Sequence, residues 1–126
     1  MIGMLFLIQA SSIGFASSTN FFRIQMESWF PYYVPEAPSV VRGTVVRWEN
    51  PTATHHTVTH DGCRQGGACL FDSGVIPPTG AYELPELPPG EYSYHCELHP
   101  IMRGTIVVTN NGDHVHSSTD KTEESA

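Results

Sequence analysis

From Pro31 to Gly104 the chain meets a glycine or a proline every few residues, and that punctuation decides what it can become. Proline removes a backbone donor and glycine weakens any regular element it interrupts, so no helix of useful length has room to form. The 11 Gly and 10 Pro mark turns between short extended runs. Phe21-Phe22-Arg23-Ile24-Gln25-Met26 reads as a first strand, and residues 29–38, with Pro31, Pro35 and Pro38, as loop or irregular edge. Residues 44–48 (TVVRW) make a strand entered through Gly43 and stopped at Asn50-Pro51. Residues 56–60 follow, with His56, Val58 and His60 on one face and Thr57 and Thr59 on the other. Further strands are expected at residues 82–84, 92–96 and 104–109, the fifth of these runs pointing Tyr92, Tyr94 and Cys96 to one side. Short strands at about ten-residue spacing predict an all-β sandwich or barrel.

Charge narrows the function. Lys+Arg total 6 against Asp+Glu 13, a net charge of −7, so the chain has no basic patch to neutralise phosphates and is not a nucleic-acid binder. Residues 2–15 are almost wholly apolar or small, and the first charge is Arg23. The stretch is short for a membrane span, and with small residues before a cut after Ala16 it fits a secretory leader over residues 1–16. A retained membrane anchor or a first core strand are the alternatives. Export, to the periplasm or another extracytoplasmic space, permits a disulfide, and Cys63 and Cys69 can close a small glycine-rich loop. Cys96 is then left without a partner. The folded domain is expected over residues 20–109, followed by a disordered acidic tail, 110–126.

The unpaired thiol falls in Cys96-Glu97-Leu98-His99-Pro100-Ile101-Met102, directly after one strand and before another. A compact loop there can return the imidazole of His99 and the thioether of Met102 to the point where the strand delivers Cys96. Two imidazoles, a thiolate and a weak thioether form the ligand set of a blue-copper site, so one histidine is still needed. His55 and His56 lie upstream; if Val58 points into the core, His56 points inward with it, and His56 is preferred.

With these residues in view, the chain resembles the cupredoxin (type 1 blue-copper) family, and within it the amicyanin and plastocyanin group. The likeness runs from about Val40 to Val108 through residues 43–50, His56-Thr57-Val58, residues 71–74, residues 90–96 and residues 99–104. The resemblance implies a Greek-key β-sandwich holding one copper ion on His56, Cys96, His99 and, axially, Met102. It also implies a Thr57 backbone N–H donating to the Cys96 sulfur. The implied function is one-electron transfer between larger redox proteins, through a weak interface near His99 ringed by Leu98, Pro100 and Ile101. One departure stands out. Glu97-Leu98 occupy the place where the group has a small residue and a proline, so the Glu97 carboxylate is free to steer a partner, bond near the metal or alter the loop.

Other readings weigh less. A zinc site from Cys63, Cys69, Cys96 and His99 lacks the paired C-x2-C spacing. His95 is expected to pack or face solvent, His60 to sit in the core or at its rim, and Trp48 and Tyr94 to fill core. No Ser-His-Asp spacing or phosphate loop is present. The alternative function is a copper-dependent enzyme acting on a small molecule such as nitric oxide at an open axial position. A periplasmic copper carrier is a third class, thinly supported by four methionines.

Overall fold

A computed structural model describes residues 20–110. Eight strands form: β1 (Phe21–Met26), β2 (Tyr33–Val34), β3 (Ser39–Val41), β4 (Val45–Glu49), β5 (Thr59–His60), β6 (Ala81–Glu83), β7 (Gly90–His95) and β8 (Arg103–Thr109). They pair into two four-stranded sheets, β2-β1-β4-β6 and β3-β8-β7-β5. Non-consecutive neighbours, among them the parallel pairs β1–β4 and β3–β8, give the crossed connections of a Greek-key sandwich. Among the described residues the one helical element is a 3-10 turn, Asp61–Cys63.

Alternation writes the core. In β8, Gly104, Ile106 and Val108 face inward between outward Thr105, Val107 and Thr109, and β4 buries Val46 and Trp48 in the same way. The fully buried Trp48 ring sits edge-on to Tyr94, with centroids 5.3 Å apart, and its Nε1–H donates to the Tyr94 hydroxyl at 3.1 Å. Tyr33 packs edge-on to the other side of Tyr94 at 4.8 Å. This aromatic stack joins the sheets and confirms Trp48 and Tyr94 as core; removing such a ring costs about 3–5 kcal/mol. Gly104 is required by that stack, because a Cβ there would lie 2.5 Å from the Tyr94 ring.

Several boundaries differ from the sequence expectation. The strand expected over residues 56–60 forms a ladder only at β5, while His56 makes a single bridge to Ile76. Residues 56–59 are buried on both faces, and the segment around Asp72 and Ser73 pairs along their edge. The proline-rich stretch contributes an edge, β2, with cis bonds before Pro31 and Pro35. β3 was not expected at all; its pairing with β8 is remote in sequence. The leader and the tail beyond residue 110 lie outside the described residues.

Candidate metal centre

The centre sits at one end of the sandwich, where β7 stops. Inward alternation through Tyr92 and Tyr94 delivers Cys96, fully buried, just past the last strand residue. The following loop closes on itself: the Cys96 N–H donates to the Met102 carbonyl at 3.0 Å, and the Met102 N–H to the His99 carbonyl at 2.8 Å. That closure returns His99 to the thiol, with His99 Nδ1 3.7 Å from Cys96 Sγ. Met102 is buried against the same end and lines a cavity of about 300 Å³ together with His56, His99, Thr54, Tyr32 and Glu27.

His56 arrives from an irregular segment held by one side chain. Asn50, 1% exposed, donates from Nδ2 to the Thr54 carbonyl at 2.8 Å and the Ile76 carbonyl at 3.1 Å. Its Oδ1 accepts from the Thr52 N–H at 3.0 Å and the Thr52 hydroxyl at 2.6 Å. Backbone exchange with Ile76, 3.2 Å from the His56 N–H and 2.7 Å to its carbonyl, completes the support. The Thr52 and Thr54 hydroxyls each lie 2.9 Å from His56 Nε2. Nδ1 of the same ring is buried and has no hydrogen-bond partner. Burial, and then the neighbouring His99 and His55 rings, hold the His56 pKa below the usual histidine value.

The ring nitrogens of His56 and His99 and the sulfur of Cys96 lie within 4.8 Å of one another. The His56 and His99 ring centroids are 5.0 Å apart. Thus the structure brings together His56, Cys96 and His99, sets Met102 beside them, and leaves His55 exposed outside the group. The Thr57 N–H donates to Cys96 Sγ at 3.3 Å, as the resemblance implied. The Thr57 hydroxyl accepts from the Glu97 N–H at 2.8 Å, and the Tyr33 hydroxyl donates to the Thr57 carbonyl at 2.7 Å. Burial pushes the Tyr33 hydroxyl pKa far up, so it stays a donor.

Cys63 and Cys69 form the disulfide expected for them, with Cα atoms 4.1 Å apart, and Cys96 is free. The His95 side chain packs as expected, 1% exposed, but between two carboxylates: Asp61 Oδ1 lies 2.6 Å from Nδ1, and Glu97 Oε1 bonds Nε2. His60 sits at the core rim, its ring 5.1 Å from that of Phe71. Asn50, Thr52, Thr54, Asp61 and Tyr33 escaped the sequence reading. Only the Asn50-Pro51 stop hinted at any of them, because their partners are mostly groups brought near by folding.

A buried nitrogen without a partner costs about 1–3 kcal/mol, so the orphaned His56 Nδ1 beside a thiol and a second imidazole is well explained as a ligand atom facing an ion. The donor set fits one: soft sulfur and two borderline nitrogens whose atoms lie within 4.8 Å of one another.

The sandwich and this His-Cys-His end define the class: the chain belongs to the cupredoxin family. It is amicyanin-like. Amicyanin from Paracoccus denitrificans is 38% identical over 77 residues, 61% of this chain and 57% of that protein, so the chain spans little more than half the relative's length. A reduced amicyanin mutant is 30% identical with a TM-score of 0.56, and an amicyanin mutant in its reduced Cu(I) form is 27% identical with a TM-score of 0.61. Each comparison covers 75% of this chain and 86% of the solved one. A purple cupredoxin from Nitrosopumilus maritimus shares the fold, at 22% identity and a TM-score of 0.61, over 70% of this chain and 99% of that one. No family model matches the chain.

Proposed function

We propose that the protein is a one-electron carrier in which His56 Nδ1, Cys96 Sγ and His99 Nδ1 would hold a single copper ion, with Met102 as a weak fourth donor. The observation that carries this reading is the buried, unpartnered His56 Nδ1 within reach of the free thiol and the second imidazole. The donor set favours copper over zinc, since thiolate, imidazoles and a thioether suit both Cu(I) and Cu(II). When bound, copper supplies a couple that gains and loses one electron.

The chain's own residues do the rest. Asn50 fixes the loop so that His56 presents Nδ1, and Thr52 and Thr54 receive the hydrogen on Nε2, which sets the tautomer. Thr57 donates to the thiolate and draws charge from it. These bonds lie outside the donor atoms themselves, so they hold the donors in one geometry and limit rearrangement when the charge at the centre changes. Exposed Leu98 and Ile101 flank His99 at the surface and form an apolar contact for larger redox proteins, suited to a small, short-lived interface. Met102 is 1% exposed and lines the same cavity as both imidazoles, which favours a coordinated thioether over a position left open to a small molecule. The disulfide supports an exported, extracytoplasmic protein.

Loading with Cu(II) tests the reading by visible absorption and electron paramagnetic resonance. An intense thiolate-to-copper band with one copper per chain is expected, abolished in Cys96→Ser and shifted in Met102→Ala. Unchanged colour in Cys96→Ser would falsify the assignment.

A further inference from the structure

The loop from Cys96 to Met102 has a mechanical problem that its own bonds do not solve. It lacks a proline between the thiol and His99, and Glu97, Leu98, Pro100 and Ile101 are all exposed. Its internal closure consists of the two backbone bonds at Cys96 and Met102.

A second structure reaches the loop from outside. The Cys63–Cys69 disulfide closes a small loop that begins with the turn Asp61–Cys63. That loop folds back tightly: a Cβ on Gly62 would lie 2.1 Å from the Ala68 carbonyl oxygen, so only glycine fits. Asp61 spans two residues of the neighbouring sheet, with Oδ1 2.6 Å from His95 Nδ1 and Oδ2 2.6 Å from Arg103 Nη2. His95, wholly inside, passes the contact on to Glu97 Oε1. Arg64, one residue after Cys63, reaches Glu97 Oε2 directly at 3.4 Å. The Glu97 N–H meets the Thr57 hydroxyl, and the Thr57 N–H meets the Cys96 sulfur.

We propose that the disulfide loop is a strap for the thiolate: acting through Asp61, His95 and Arg64 it fixes Glu97, and Glu97 fixes Thr57 against Cys96. Glu97 and His95 are positioning residues, and the carboxylate ties down a loop whose middle is otherwise exposed. The inference rests on the reading of Cys96 as the metal's thiolate. A hydrogen bond to a thiolate removes charge from it and favours Cu(I) over Cu(II), so a looser strap shifts the balance toward Cu(II).

The test uses the full chain in four forms besides the wild type: Glu97→Ala, Glu97→Gln, Cys63→Ser with Cys69→Ser, and the cysteine pair combined with Glu97→Ala. In the metal-free protein, amide exchange at Thr57 and Glu97 is expected to speed up about tenfold in Glu97→Ala, the loss of roughly one charge-assisted bond. In the copper form, the Cu(I)-to-Cu(II) ratio against a fixed redox mediator is expected to fall by about the same factor. Glu97→Gln keeps an oxygen for His95 and restores most of both readouts. The cysteine pair reproduces part of the change, and the combined variant goes no further than Glu97→Ala alone, as expected of groups acting in series. Unchanged exchange in Glu97→Ala, or additive effects in the combined variant, overturns the strap. Should the cysteine pair fail to fold, Asp61→Ala leaves the disulfide and enters the same cycle. A wild type without a thiolate-to-copper band defeats the copper reading instead, while amide exchange still judges the strap.

Discussion

Two irregular segments meet at the centre, and they are built in opposite ways. Residues 50–57, which present His56, bury Asn50, His56 and Thr57 and leave Pro51 and residues 53–55 exposed, but their bonds lie within and around the segment, where Asn50 alone makes four side-chain contacts. The loop from Cys96 to Met102 buries only its two ends and leaves the residues between them at the surface. The first is a rigid template. The second is a surface loop whose shape is imposed at Cys96 and Met102 and, through Glu97, from the disulfide loop. Under the proposed function the difference matches the tasks of the two sides: one donor is fixed in orientation, while the other strand end also brings His99 toward the surface.

The sharpest way to break this comparison is to remove the template's organising side chain. Asn50→Ala removes the four hydrogen bonds through which one buried side chain ties Thr52, Thr54 and Ile76 together. Unfolding by denaturant should show a loss of about 3 kcal/mol, with the denaturant midpoint falling and the slope unchanged. A loss below about 0.5 kcal/mol, the range of an ordinary surface change, shows that the segment is not a template.

How much of this was readable beforehand follows from where each partner lies. Cys96, His99 and Met102 were legible because their spacing is local and sits between two alternating strands. His56 was selected over His55 by alternation, and the structure does place His56 with Cys96 and His99. Strand alternation accounts for His56 only in part, since the ladder starts at Thr59 and His56 is held by Ile76. The pairing of Cys63 with Cys69 was legible from spacing and an expected export route. Asn50 looked like a strand stop, and its real role was hidden because Ile76 is distant in sequence. Glu97 was noticed as a departure, but Asp61 and His95, which give it a purpose, come together only through the pairing of β5 with β7.

A smaller effect separates the template's support of the ring from its support of the backbone. Thr52→Val with Thr54→Val takes both hydroxyls from His56 Nε2 and, of the four Asn50 contacts, removes only the one from the Thr52 hydroxyl. Copper affinity in a competition titration should weaken about 10–100-fold. Either single variant keeps one hydroxyl and should lose much less. Equal loss in a single and in the pair points to a backbone effect.

Acid sharpens the same point on the metal-free protein. Folding holds the His56 pKa below its ordinary value, so the unfolded chain takes up that proton first. His56 therefore contributes its full stability above about pH 6.5, the unfolded value, and the contribution is lost as pH falls from there toward the folded pKa. Denaturant midpoints measured down this range should fall more steeply in wild type than in His56→Gln, which has no proton to take up. Parallel curves remove His56 from the acid response.

The least disruptive change tests the exposed side of the comparison. Ile101 is 72% exposed on the surface loop and lines the cavity beside His99, so its side chain contributes little to the fold. Ile101→Ser should leave stability within about 0.5 kcal/mol of wild type and the copper spectrum in place. Contact with a redox partner should weaken by up to about tenfold, the effect of losing one moderate anchor from a small interface. Stopped-flow transfer rates at sub-saturating partner report that contact, and the first-order rate at saturation reports the step inside the complex. If the residue serves docking, only the former drops. A matching fall at saturation, or a shifted spectrum, places Ile101 in the support of the centre and makes the loop less of a free surface than its exposure indicates.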